Sequence, residues 1–300
     1  MNSVVSNERW KVHGALVVAV IAISFAALFF RAAAPTHPLV QACTRLLLSA
    51  AFLSPFLFNH RAQFQEDSSV LRAAVGCGAW YAIHFGAWVT SLTMTSVAAS
   101  VTLVTATPLV LGLLGWARGV DAPSSRQWQG LFVGCLGIAV IGWDDFQQGS
   151  GALLGDLLAL LGAVGMAGYL FTCRTVIGRV NVLAFTAVAT GTGGVLLWAG
   201  CLVSGIPFEI PGWTPLLALV AAALFPQLVG HVLLTWASRK VSPVTVGTAT
   251  LGEPVGAATL AFLFLNEVPT GVVIGGSALA LVGMMVVFSA GSGSSSSTEG

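Results

Sequence analysis

A few polar and ionisable side chains sit inside apolar stretches of this chain, and their spacing limits what they can do. Trp80, Tyr81, His84 and Trp88 share one apolar run. Trp80, His84 and Trp88 are spaced i, i+4 and i+8, which stacks them on one face of a helix. Gln227 and His231 repeat the i, i+4 spacing in a later run. Glu253 is the one acid deep inside a run, and Arg45 is the one base. Rings, imidazoles, an amide, a carboxyl and a guanidinium together could recognise a small polar solute and hand on a proton. Such groups are costly in lipid and mark a bundle interior or a pathway. The plainer alternatives are structural. Each histidine would bond a neighbouring helix, Trp88 would join an interfacial aromatic belt, and Glu253 would be a neutral carboxyl bonded to another helix.

Neighbouring residues sharpen this picture. Glu253 precedes Pro254. Proline cannot donate a backbone hydrogen bond and kinks a helix, so a freed carbonyl joins Glu253 in mid-span, an arrangement suited to proton exchange. Arg45 could meet a substrate carboxylate, pair with Glu253 or snorkel outward; pairing with Glu253 is the expectation. Thr102, Thr105 and Thr107, then Thr245, Thr248 and Thr250, put hydroxyls on two further runs. Thr105 and Thr248 are expected to line a cavity, although threonine also bonds its own helix carbonyls. Tyr169 and Met166, with Phe25 and Phe29, offer an adaptable aromatic lining. Asp156 reads as an acid at a helix N-terminus.

The elements that must position these groups are ten apolar runs of about 16–24 residues: 13–30, 38–58, 70–91, 97–117, 126–143, 154–173, 181–204, 214–237, 243–265 and 270–289. About 20 residues span the hydrocarbon core as a helix. Hydrophobic residues make up 56% and charged residues 8% of the chain, against about 25% charged in a soluble domain. The runs lack strict alternation, which excludes a barrel. The fold class expected is therefore an all-α polytopic membrane protein. Its parts are a cytoplasmic segment at 1–12, two halves at 13–143 and 154–289, and a flexible tail at 290–300. The first run resembles a signal peptide but exceeds the usual signal core, so it is expected to stay. A net charge of +1 gives no footprint for nucleic acid. Five cysteines without a CxxC read as packing residues.

The two halves are related. Residues 96–141 align with 242–287 without a gap, at a constant offset of 146 residues. Pro108 falls on Pro254, Asp121 on Glu267, Pro123 on Pro269, Gly130 on Gly276 and Gly137 on Gly283. His84 matches His231 at one residue more. Five spans per copy is an odd number, so consecutive copies insert with opposite orientation. The charges agree with this. With the N-terminus in the cytoplasm, Arg9, Lys11, Arg61, Arg72, Arg118, Arg126, Arg174, Arg179, Arg239 and Lys240 fall on the cytoplasmic side. Asp144, Asp145, Glu209 and Glu267 fall on the other. The chain thus reads as ten transmembrane helices in two inverted-topology five-helix repeats, an architecture of transporters.

The pattern Pro254…Leu265-Asn266-Glu267-Val268-Pro269, the weaker Pro108…Asp121-Ala122-Pro123 and the glycine-rich runs after each acid resemble the drug/metabolite transporter superfamily, in particular its ten-helix EamA-type members. The first copy departs in carrying Asp121 where that family often has glutamate. The resemblance implies a secondary transporter of the inner membrane, working by alternating access and exporting amino acids or related metabolites. Within the family the YddG-type exporters of aromatic and neutral amino acids are the most similar group. Multidrug or quaternary-cation efflux is the alternative, with aromatic walls and Glu253 holding a cation. One deep cation, Arg45, is too few for a sugar phosphate. No Walker loop, HExxH or GxSxG is present, so neither ATP hydrolysis nor an enzyme activity is expected, and no cofactor or metal. The expected partners are the solute, the bilayer and, through Glu253, protons. The small faces Gly130-xxx-Gly134 and Gly271-xxx-Gly275 are expected to pack helices within each half or to form a homodimer seam; otherwise the protein is a monomer.

The topology has a direct test. Single cysteines placed beside Arg118 and Glu267 should react with an impermeant thiol reagent from opposite faces of the membrane; reaction from one face contradicts the inverted duplication.

Overall fold

Lipid offers no hydrogen-bond partner to a backbone, so continuous apolar runs close their bonds internally as helices. The computed structural model describes residues 2–117, 124–173, 175–176, 178–237, 240 and 249–291, and all regular structure among them is helical. The helices are α1 (Asn2–Ser24), α2 (Ala26–Ala32), α3 (Pro38–Asn59), α4 (Ala62–Glu66), α5 (Ser68–Ser91), α6 (Val97–Val104), α7 (Thr107–Ala117), α8 (Ser125–Gln148), α9 (Ser150–Cys173), α10 (Val182–Val203), α11 (Trp213–Ala222), a π-helical segment (Ala223–His231), α12 (Val232–Ala237), α13 (Gly252–Leu265) and α14 (Gly271–Gly291). Six stretches are long and apolar enough to cross a membrane: Lys11–Ala32, Pro38–Asn59, Ser125–Gln147, Ser150–Cys173, Val182–Val203 and Trp213–Ala237. Shorter apolar helices lie at Val97–Leu111, Gly252–Leu265 and Gly271–Val287. The chain is an integral membrane protein. Asp121, Thr245 and Thr248 lie outside the described residues.

Helix starts follow local chemistry. Asp67, Ser96 and Asn181 cap α5, α6 and α10 by accepting backbone N–H bonds. Ser124 and Gln127 form a capping box at α8. Two interruptions sit just before matched prolines: α6 ends at Val104 ahead of Pro108, and α13 starts at Gly252 ahead of Pro254. Proline weakens a helix at the turn before it, because the ring removes a donor and strikes that turn.

One expectation is corrected at the join between α8 and α9. Helix α9 starts at Ser150, so Asp156 lies almost two turns inside it, 3% exposed, and not at its N-terminus. Asp145, expected in an outer loop, lies in α8, buried, and accepts a hydrogen bond from the Thr95 hydroxyl.

Packing between helices depends on small residues. Helix α8 crosses α14, α3 crosses α10, and α5 lies between α9 and α10. Helix α1 packs on the π segment and on α13. At the α8–α14 crossing a Cβ added to Gly137 would lie 2.4 Å from the Ala280 nitrogen and 2.5 Å from the Gly276 oxygen. One added to Gly130 would lie 2.7 Å from the Gly283 oxygen. Bare glycines therefore let the two backbones touch. The contact face of α14 is Gly276, Ala280 and Gly283. Gly271 and Gly275, the pair singled out by spacing, have nothing within 4 Å of their Cβ positions.

Ion pairs tie the two ends. At one end Arg31 pairs with Glu267 at 3.4 Å and donates to the Thr95 carbonyl at 3.0 Å. Glu267 also accepts from the Val97 N–H, which closes the start of α6. At the other end Arg179 pairs with Asp67. The Ser69 hydroxyl and then Arg179 hold the Asp67 carboxyl below its ordinary pKa.

The glycine crossing sets a measurable expectation. Gly283→Val should lower thermal stability in detergent by about 1–3 kcal/mol, since neither backbone can recede, whereas Gly275→Val should leave the melting curve in place.

Candidate functional site

Arg45 lies in the middle of the molecule, on α3, with none of its surface exposed. Its Nη2 donates to the Gln227 Oε1 at 3.0 Å. The guanidinium carbon lies 4.3 Å from the Phe85 ring centroid and 5.4 Å from that of Phe30. Two aromatic faces thus supply part of the solvation that water would give, an interaction strengthened by the absence of water. Gln227 reaches Arg45 from the π segment. Pro226 removes a ladder bond there, and a π turn accommodates the lost donor.

Helix α5 closes the cluster. Tyr81 stacks on Tyr169 of α9, with centroids 4.2 Å apart and planes 8° from parallel. Tyr81 also meets Phe85 at 5.3 Å and the edge of His231 at 6.4 Å, and His231 meets Phe85 at 6.0 Å. Arg45, Tyr81, Phe85, Tyr169, Gln227 and His231 therefore converge from α3, α5, α9 and the π segment.

The expected face of α5 is displaced by one residue. Trp80, His84 and Trp88 do share a face, but that face packs on glycines of α9. A Cβ on Gly168 would fall 2.3 Å from the Trp80 ring, one on Gly165 would fall 2.7 Å from the His84 backbone nitrogen, and one on Gly162 would fall 3.2 Å from the Trp88 Cβ. His84 Nδ1 bonds the Gly162 carbonyl at 2.8 Å, so Nδ1 carries the proton and Nε2 is left as an acceptor. The adjacent stripe, Tyr81 and Phe85, faces Arg45. His84 keeps a ring contact to it, 4.5 Å from Phe85. Trp88 is buried against the edge of Phe30 at 5.7 Å, away from any lipid interface.

The remaining expected residues are more dispersed. Glu253 is half-buried at the start of α13. It lies within electrostatic range of Arg45 but is not ion-paired with it; the pairs among the described residues are Arg31–Glu267 and Arg179–Asp67. Arg45 takes the neutral Gln227 as its partner in place of the expected Glu253. The Thr105 hydroxyl donates to Val101 of its own helix at 2.6 Å. Phe25 and Phe29 stack on each other at 5.8 Å. Met166 packs against the main core. Phe30 and Phe85 were not singled out from the sequence. Phe85 carried a signal, four residues after Tyr81 on one helical face; Phe30 carried none.

A cavity of about 420 Å³ opens beside this cluster, lined by Phe30, Arg31, Thr36, His37, Gln41 and Thr93 among others. Phe30 both lines this cavity and contacts Arg45.

The comparisons with known proteins agree with a membrane transporter. The EamA-like transporter family matches the chain at residues 10–143 and again at 153–289. One solved crystal structure is similar over 92% of this chain and 96% of its own, with a TM-score of 0.64 and 19% identity, which establishes a shared fold. A search of curated proteins finds no match.

The two histidines should respond differently to substitution. His84→Phe removes the bond to Gly162 and should cost about 1 kcal/mol of stability. His231→Phe keeps the ring contacts, and its melting temperature should match that of the parent protein.

Proposed function

We propose that this chain, which belongs to the EamA-like transporter family, exports neutral and aromatic amino acids across the inner membrane by alternating access. The observation that carries this reading is the central cluster. Side chains from the first half (Arg45, Tyr81, Phe85) and from the second (Tyr169, Gln227, His231) meet there, with rings on several sides and one full charge. Flat rings suit an aromatic or apolar side chain, and the polar atoms between them suit its backbone groups.

Two findings support an inverted repeat of 13–143 against 154–289. The family matches twice along the chain. The glycine crossing is also reciprocal: Gly130 meets Gly283 and Gly137 meets Gly276. Exchanging each residue for its counterpart 146 positions away turns one contact into the other, as a two-fold relation requires. Likewise α5 packs on α9 as the π segment packs on α1. Rocking of one half against the other would open the cluster to each side in turn. Arg61, Arg72 and Arg179 would face the cytoplasm with both termini, and Arg31 with Glu267 would face outward. Glu253 would serve as the proton-coupling group.

The decisive assay is counterflow in liposomes. Labelled phenylalanine should accumulate, and neutral amino acids should compete while cationic dyes do not. Competition by dyes alone would favour the cation-efflux alternative. Glu253→Gln should flatten the pH dependence of counterflow; an unchanged profile removes this carboxyl from coupling.

A further inference from the structure

The guanidinium of Arg45 is held in a way that helix packing does not explain. It is fully buried, yet among the described residues it makes one hydrogen bond, to a neutral amide oxygen. Its Nε and Nη1 have no partner, and neither does Nε2 of the fully buried Gln227. Two guanidinium donor atoms are thus left open beside one hydrogen-bonded pair, and the Gln227 amide nitrogen, with no hydrogen bond of good geometry, lies within interaction range of the Tyr81 hydroxyl. Glu253, the acid within electrostatic range, forms no ion pair with it. An unpaired buried ion costs several kcal/mol, and each unmet donor adds about 1–3 kcal/mol. Apolar packing would be better served by leucine at this position. An arginine held with open donors is poised for an anion that arrives from outside the protein.

We infer that Arg45 and Gln227 form the carboxylate-binding half of the transport site. The inference rests on the proposed amino-acid export and names the group that anchors the solute. A carboxylate has two oxygens and four lone-pair directions, enough for one edge of the guanidinium (Nε with the second N–H of Nη2, or Nη1 with it) together with Gln227 Nε2. Arginine binds such a group through a planar fork, which fixes its orientation. A phosphate ester would carry more charge than one buried cation can offset. Phe85 and Phe30 flank the guanidinium, and the stacked Tyr81–Tyr169 pair lies next to Phe85, so the remainder of the solute would lie among rings. The adjoining cavity would give access. Gln41 lines the adjoining cavity and sits one turn from Arg45 on α3, and Phe30 both lines that cavity and contacts the guanidinium. Displacement of the Phe30 ring would bring a solute in the cavity to Arg45.

Four probes that differ only in their polar ends test this: L-phenylalanine, 3-phenylpropionate, L-phenylalaninamide and phenethylamine. Each is measured by thermal stabilisation of the purified full-length protein and by competition with phenylalanine counterflow. The two carboxylates should bind, and the amide and the amine should be at least about thirtyfold weaker, the loss expected when a buried charged partner is missing. Arg45→Gln should erase the preference for acid over amide. Equal binding of all four probes by the parent protein, or a preference that survives in Arg45→Gln, overturns the inference. If Arg45→Gln does not fold, the ranking of probes on the parent protein decides alone. The broader reading fails separately. Absent amino-acid counterflow with tight, Arg45-dependent binding of 3-phenylpropionate keeps the anion site and rejects amino-acid export. Counterflow that ignores the carboxylate does the reverse.

Discussion

Lipid supplies no hydrogen bonds, and the rest of the structure depends on that constraint. Backbones satisfy it by closing into helices, and the exposed helix starts satisfy it through Asp67, Ser96, Ser124 and Asn181. Side chains satisfy it by pointing inward. Ser91 and Ser100 bond each other, Thr102 bonds Ser277, and Thr190 bonds carbonyls of its own helix. Some buried polar atoms stay open, among them Trp88 Nε1, the Tyr169 hydroxyl and both Asp156 oxygens, and of these groups only the Arg45 guanidinium carries a fixed positive charge deep in the interior. Arg45 and Gln227 are buried as deeply as any core leucine and are not closed. The same physics that makes the fold thus gives the reason for proposing that a solute completes these bonds.

Close approach of helices is the second requirement. Between spans the hydrophobic effect gives little, because lipid tails are as apolar as the side chains, so association relies on shape. Glycine supplies that shape on α8 and α14, where backbone meets backbone. It supplies it again on α9, where Gly162, Gly165 and Gly168 receive Trp88, His84 and Trp80. Large rings on α5 therefore pack into a groove of absent side chains. This seating fixes the rotation of α5, and the rotation decides which stripe faces Arg45. The tryptophans and His84 position the helix, while Tyr81 and Phe85 form the stripe that meets the central cluster.

How much of this could be read from the residues depends on the range of the interaction. Helical stretches were legible because hydropathy is local. The break before Pro254 was legible because proline acts on its own turn, and Pro108, its counterpart in the repeat, carried the same signal. The α8 and α14 crossing was half legible: small residues were visible at i, i+4 spacing, but which small face met a partner was not. On α14 the working set is Gly276, Ala280 and Gly283, whose counterparts in the first half include Gly130 and Gly137; the repeat pointed to that face better than the GxxxG spacing did. Arg45 was recognised as exceptional, yet its partner was misread. Opposite charge suggested Glu253, and the π segment at Pro226 instead delivered Gln227. A change of helical pitch is a tertiary outcome that no single residue announces. Asp145 and Asp156 show the same limit, since a longer α8 and an earlier α9 carried both acids into the interior.

The arrangement of charge also bears on how a two-fold scaffold could move a solute in a defined orientation. Under the proposed symmetry the glycine crossing between α8 and α14 maps onto itself, so it favours neither direction of rocking. The charges break that symmetry. Helix α3 carries Arg45, while α10, its counterpart, has no basic residue along Val182–Val203. Glu253 precedes Pro254, while the residue before the matched Pro108 is Thr107. The motion would therefore be shared by both repeats, whereas the binding groups are divided between them: a cation on the first, an acid on the second. A zwitterion has the complementary polarity within one molecule. Its carboxylate would stay with Arg45 throughout the cycle, and its ammonium would lie toward the half that carries Glu253. Rocking would then change the distance between the two charges, so that binding and release become coupled to the position of the halves. That coupling is what an alternating-access cycle requires of its site, because a solute that interacts equally with both states cannot shift the balance between them.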